Sequence, residues 1–194
     1  MISDQYKQKV AEGKSHWLER DSDVSKFIGI LREKYHNLDG LKVLDVGCAQ
    51  GRDTAEISNY GIEASGIDVN EDYIREAKKN YPGIKYDVGR IEKLPYQEES
   101  FDAIYCVNTL FYSKPEESLP ELERVLKTGG IAFITLDEKI VDLDKNEEFH
   151  AQNIAEALKQ FKCCEIRSKN YGEREDELPF KHKHFFYYIV LQKI

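Results

Sequence analysis

The stretch Val43-Leu44-Asp45-Val46-Gly47-Cys48-Ala49-Gln50-Gly51-Arg52-Asp53-Thr54 decides the fold. An apolar run enters a turn with glycines at Gly47 and Gly51, and a helix-starting pair, Asp53-Thr54, follows. That order describes a strand turning sharply into a helix. Gly47 permits a backbone angle that a side chain forbids. Gly51 lets the chain pass close to whatever sits above the strand. The free amides at the helix start face a bound ligand. The spacing is Gly-x-Ala-x-Gly, so the downstream context has to decide. Gly66-Ile67-Asp68-Val69-Asn70 follows after one helix and one short strand. Asp68 falls about twenty residues past the first glycine, where a carboxylate can accept hydrogen bonds from ribose hydroxyls. The alternative is a plain strand-helix-strand unit with Asp68 as a cap.

Outward from this unit, strands and helices alternate. Residues 22–35 read as a helix, with Val24, Phe27, Ile28 and Leu31 at helical spacing and Ser22 or Asp23 as its cap. Strands are expected at 41–46, 64–69, 84–88, 101–107 and 131–136. Helices are expected from Gly51 to about residue 60, from Asn70 to about 80, and over 115–126, where proline and acids open the first turn. Thr128-Gly129-Gly130 reads as a turn. A further helix is expected over 147–161, then a sixth strand at 164–168 and a seventh at 184–192. The last two have no helix between them, so the seventh should form a hairpin with the sixth and run antiparallel. The expected fold is α/β: a doubly wound, seven-stranded, mostly parallel sheet with helices on both faces and the last strand antiparallel. Residues 1–37 form a helical arm or cap, and 38–194 form the main domain.

Composition narrows the class. The chain has 194 residues, enough for one domain with a proper core. Hydrophobic content of 41% and charge of 33% fit a soluble globular protein. No apolar stretch approaches a membrane span. The start, Met1-Ile2-Ser3-Asp4-Gln5-Tyr6-Lys7, lacks the apolar core of a signal peptide. Cys48, Cys106, Cys163 and Cys164 show no zinc spacing, so no metal is expected, and free thiols suit the cytoplasm. A net charge of −8 argues against a nucleic-acid partner. Lys181-His182-Lys183-His184 is the densest basic stretch and reads as a solvated loop before the last strand.

On these residues the sequence resembles the class I S-adenosylmethionine-dependent methyltransferases, over roughly residues 38–136. The signatures, in order, are the run from Val43 to Gly51, Gly66-Ile67-Asp68-Val69-Asn70, Leu94-Pro95-Tyr96, Ser100-Phe101-Asp102, and Arg124-Val125-Leu126-Lys127-Thr128-Gly129-Gly130. They look most like the branch with ubiquinone-biosynthesis-type and other small-molecule enzymes. The resemblance implies a cofactor, S-adenosyl-L-methionine, with S-adenosyl-L-homocysteine as product. It implies that the turn Gly47, Cys48, Ala49 and Gly51 lies under the methionine part, with Asp45 orienting it directly or through water. Asp68 would hold both ribose hydroxyls, and Val69 would pack on the adenine. The backbone amide of Ile91 would meet an adenine nitrogen. Cys106, with Val107 and Asn108, would contact the methionine amino group through a backbone carbonyl. Three positions depart from the family pattern. Ala49 replaces the middle glycine. Thr128 replaces a proline. Arg90 replaces the acid that binds the adenine amino group, and an arginine cannot accept that hydrogen bond. Asp87 or Glu92 substitutes, or adenine is held by backbone and packing.

The expected function is transfer of a methyl group to a small-molecule acceptor by in-line displacement. The sulfonium is already activated, so alignment of the nucleophile carries most of the catalysis, up to roughly 7–11 kcal/mol. A base is needed only if the acceptor must lose a proton, and Tyr112, Asp137 and His150 are the candidates. Ligands of open parallel sheets lie beyond the carboxyl ends of the strands. That rule gathers residues 108–112, 137–149 and a loop at about 170–183 on the acceptor side. Cys48 and Cys106 read as small apolar fillers. Val107-Asn108-Thr109-Leu110 lacks the Asn-Pro-Pro-Tyr type signature of many enzymes that methylate nucleobase or glutamine nitrogens. The expected assembly is a monomer or homodimer. Two alternatives stand beside this reading. One is an inactive relative that binds the cofactor or its product as a sensor or partner subunit. The other is a nicotinamide-dependent dehydrogenase, for which a third glycine and a Tyr-Lys pair are missing.

Overall fold

The structure, a computed structural model, describes residues 22–110, 113–144, 147–150, 154–176 and 182–194. Helix α1 (Val24–Lys34) precedes strand β1 (Lys42–Val46), α2 (Arg52–Ser58), β2 (Glu63–Asp68), α3 (Glu71–Asn80), β3 (Lys85–Val88) and β4 (Phe101–Cys106). Then come α4 (Pro115–Val125), β5 (Leu126–Asp142), β6 (Glu147–His150), α5 (Ile154–Leu158), β7 (Cys164–Asp176) and β8 (His182–Lys193).

The sheet runs in the order β3-β2-β1-β4-β5-β8-β7. The pairs among β1 to β5 are parallel. β8 is antiparallel to both β5 and β7, so it is inserted between them as the return arm of a hairpin. This is the expected doubly wound sheet with a reversed last strand. Its apolar residues divide by strand alternation. Phe27, Ile28 and Leu31 of α1 and Ile57 of α2 pack with Val43, Tyr105, Phe133 and Val190 on one face. Ile74 and Ala77 of α3 extend that layer over Tyr86. Leu119, Leu122 and Val125 of α4 and Ala157 of α5 pack with Leu44, Ile104, Ile134 and Leu191 on the other. The α1 ring Phe27 lies 5.4 Å from Tyr105 and 6.0 Å from Phe133, so this helix belongs to the main core. Residues 1–21 lie outside the described residues.

Local signals act as read at several ends. Ser22 Oγ accepts the Val24 amide at 3.0 Å, and Asn70 Oδ1 accepts the amides of Asp72 and Tyr73 at 2.9 and 3.3 Å. The C-terminal third differs from expectation. The helix expected at 147–161 is a strand, Glu147–His150, and a short helix, Ile154–Leu158. β6 pairs with Lys139 to Asp142 of β5, and this antiparallel partner holds residues 147–150 extended. The fifth strand is not confined to 131–136. It begins at Leu126, takes in Thr128-Gly129-Gly130 with Gly129 at φ 77°, and continues to Asp142. The loop expected at 170–183 is strand as far as Asp176, because β7 and β8 pair along their whole lengths. His184 therefore lies inside a strand rather than in a solvated loop, and Asp137 lies in mid-strand rather than at a turn.

Candidate functional site

Strand order reverses between β1 and β4, since β1 has β2 on one side and β4 on the other. In such sheets the crevice at the reversal, beyond the carboxyl ends of the strands, receives ligands. Two loops meet there. After β1, the amides of Gly47 and Cys48 both donate to the Ile67 carbonyl, at 2.8 and 3.1 Å. After β4, Thr109 Oγ1 donates to the Val46 carbonyl at 3.0 Å. Gly47 has φ 78°, and a Cβ there would collide with the Thr109 side chain. Gly51 has φ 83°, and a Cβ there would come within 2.6 Å of the Tyr86 hydroxyl. That hydroxyl donates to the Gly51 carbonyl at 3.2 Å. The two glycines are therefore required by close protein packing as well as by backbone angle.

Ala49 has φ 46°, a left-handed conformation unusual for a residue with a side chain. Its amide is held at 3.0 Å by Asp68 Oδ2, while Asp68 Oδ1 accepts the Asn70 amide at 2.9 Å. Burial raises the Asp68 carboxyl above its ordinary value, against the pull of those amides. Each carboxylate oxygen has a second acceptor direction beyond the one its amide uses. Val69, next along, is 61% exposed, an apolar side chain standing open at the edge of the crevice.

Asp45 is buried, at 3% exposure, beneath the loop. Thr54 Oγ1 donates to its Oδ2 at 2.6 Å. Burial first, and the Asp53 carboxylate second, push Asp45 up to about 8. Asp53 itself is held by Arg52 at 2.7 Å and by the Tyr105 hydroxyl at 3.0 Å. Cys48 and Cys106 are buried, and burial drives both thiols far up, which makes them poor nucleophiles.

Past β3, Arg90 projects outward and pairs with Glu92 at 3.2 Å. Asp87 accepts from the Tyr96 hydroxyl at 2.9 Å and lies 3.2 Å from Lys85. Both acids proposed as stand-ins at the Arg90 position thus have cationic or hydroxyl partners. Ile91 is buried in the core. Arg124 ties down the segment that follows, donating to the carbonyls of Tyr96 at 2.8 Å and Leu94 at 3.1 Å, with Glu121 bracing its guanidinium.

Among the base candidates, Tyr112 lies outside the described residues. His150 is on β6, its backbone opposite Lys139. Asp137 is 2% exposed, and its Oδ1 is 2.9 Å from His184 Nδ1. Sequence reasoning missed His184, and also Arg174, whose Nη1 donates to Asn108 Oδ1 at 2.8 Å. The usable signal was alternation. His184, Phe186, Tyr188 and Val190 occupy every second position of a strand, so they share a face. A separate depression of about 450 Å³ against Lys42, Glu63, Lys85 and Phe101 lies at the opposite, amino ends of the strands. No helix among the described residues is long and apolar enough to cross a membrane.

Residues 44–134 match the family model described as "Methyltransferase domain". A sterol 24-C-methyltransferase of Gibberella zeae is 32% identical over 123 residues, covering 59% of this chain and 32% of that protein. A tRNA U34 carboxymethyltransferase of Campylobacter hominis is 32% identical over 133 residues, covering 64% of this chain and 45% of that protein. A TehB-like methyltransferase structure from Corynebacterium glutamicum superposes with a TM-score of 0.70 at 18% identity, covering 97% of this chain and 98% of that one. The fold is the Rossmann-like methyltransferase fold, and the chain belongs to the class I S-adenosylmethionine-dependent methyltransferase family. The cofactor this family implies is S-adenosyl-L-methionine. The chain spans about a third to a half of the length of the curated relatives first matched.

Proposed function

We propose that this protein transfers a methyl group from S-adenosylmethionine to a small-molecule acceptor. The carrying observation is Asp68, which ends β2 with its carboxylate locked to the Ala49 and Asn70 amides and its remaining acceptor directions at the crevice. The chain's residues suit the cofactor group by group. Asp68 would accept the ribose hydroxyls, with Val69 giving the adenine an apolar surface. The backbone at Arg90 and Ile91 would meet the adenine edge, since Asp87 and Glu92 are already engaged. The Gly47-Cys48-Ala49-Gly51 loop would underlie the methionine part. Asp45 would answer its ammonium through the buried network with Thr54, and the carbonyl of Cys106 would serve the same group. When bound, the cofactor supplies a methyl carbon already activated by a sulfonium.

The relatives' named substrates include a sterol and a tRNA. The net charge of −8 favours a small metabolite over a polyphosphate backbone. Calorimetry with S-adenosylhomocysteine tests the cofactor half, and labelled-methyl transfer against a metabolite panel tests the rest. Saturable heat with S-adenosylhomocysteine, none with NAD, and transfer to a small acceptor are expected. Heat with NAD alone would favour the dehydrogenase reading. Cofactor binding without transfer to any small molecule would favour the inactive relative.

A further inference from the structure

β4 pairs with β5 only as far as Ile134, and β6 takes up the same edge of β5 at Lys139. Between them β5 passes the crevice, and four polar side chains gather there. The Asn108 amide donates to Thr135 Oγ1 at 2.7 Å, which fixes the turn after β4 against β5. Asn108 has φ 55°, another left-handed residue beside the crevice. Arg174 crosses the face with its guanidinium 5.8 Å from the Phe186 ring and reaches Asn108 Oδ1. Arg174 and His184 are register partners on β7 and β8, and Asp137 closes on His184 from β5. Thr109, the next residue after Asn108, touches the Gly47 loop. A continuous polar path thus runs from the cofactor loop to the His184 ring.

Two atoms on this path have defined chemistry. Arginine offers only donors, so the oxygen of Asn108 must face Arg174 and its nitrogen must face away. That nitrogen, Nδ2, is buried with no hydrogen-bond partner among the described residues. A buried donor left so costs about 1–3 kcal/mol, which an incoming oxygen would recover. A carboxylate only accepts, so Asp137 places the proton of neutral His184 on Nδ1 and the lone pair on Nε2.

We infer that this wall is an acceptor site for an ionisable hydroxyl, of the phenol or enol class. His184 is its proton acceptor, Asp137 positions that imidazole, and Asn108 with Arg174 receives the developing oxyanion. The inference rests on the methyltransferase reading. As the hydroxyl oxygen's electron pair forms the bond to the methyl carbon, the carbon–sulfur bond breaks and its pair stays on sulfur. The hydroxyl proton passes to His184 Nε2, and Asp137 balances the imidazolium. Asp137 and Asp142 on β5 and Arg174 on β7 set the charge around the ring. Lys139 and Lys183 lie over Phe185, which points to the opposite face.

The test uses 4-nitrophenol, whose anion is read by absorbance, at about pH 6 with protein saturated by S-adenosylhomocysteine. The wild type should show a saturable gain in anion absorbance. His184→Gln should abolish it, and Arg174→Met should weaken it about tenfold, each binding S-adenosylhomocysteine within about twofold of the parent. If His184→Gln fails to fold, Arg174→Met decides alone. No heat with S-adenosylhomocysteine in the wild type would overturn the methyltransferase reading. Normal heat without the anion signal, or an anion signal that survives both substitutions, would overturn the inference alone.

Discussion

Asp68 Oδ2 accepts the amide of Ala49 at 3.0 Å, so the acid that ends β2 fixes the loop that ends β1. The contact joins two sequence motifs nineteen positions apart and holds Ala49 in its left-handed conformation. A carboxylate that accepts two backbone amides is at once a ligand group and a structural one. Substitution there has consequences for both roles.

Asp68→Ala should lower affinity for S-adenosylhomocysteine by at least about a hundredfold, on the magnitude of charged hydrogen bonds lost to two hydroxyls. Its Tm should also fall by a few degrees, because two amides lose their acceptor. Calorimetry and a thermal melt read the two effects separately. Parent-like affinity would refute the ribose assignment.

Ala49→Gly should stabilise the protein by about 1 kcal/mol, since glycine takes φ 46° without steric penalty. The loop keeps its amide and hence the Asp68 contact. Urea denaturation with an unchanged m-value is the check.

Asp45 supplies a pH dependence. Its carboxyl rises from the ordinary 3.8 to about 8, through burial first and Asp53 second. The folded state therefore holds this proton more tightly than the unfolded state does. The resulting stability is complete below about pH 4 and is lost as pH rises through about 8. Asp45→Asn keeps an acceptor for Thr54 and has nothing to ionise. Between pH 6 and 9 its Tm should fall less than that of the parent, by an amount on the order of 2 kcal/mol. Equal slopes would show that Asp45 is ionised throughout.

Arg124→Met removes the donors to the Leu94 and Tyr96 carbonyls and leaves Glu121 without its cation. A loss of about 2 kcal/mol is expected. Faster amide exchange over residues 90–97 should accompany it. Unchanged exchange there would mean that packing of Leu94, rather than this guanidinium, holds the segment.

The first half of the chain was readable because its signals are local. Gly47 and Gly51 mark a turn that needs left-handed backbone, Asn70 caps a helix, and Leu44 and Ile104 lie in parallel strands buried under helices on both sides. Each depends on residues a few positions apart. The run Glu147 to Phe161 misled because Ile154, Ala157, Leu158 and Phe161 fit a helical period. Its first four residues instead satisfy the backbone of β5.

Sequence by itself determined the class of fold, the glycine turn and the acid at its side, because periodicity, turn chemistry and capping are written in neighbouring residues. Tertiary structure alone decided the length of β5, β7 and β8, and with it the meeting of Asp137 with His184 and of Asn108 with Arg174. Those partners are 47 and 66 positions apart, and strand register, which no short window of sequence encodes, brings them together.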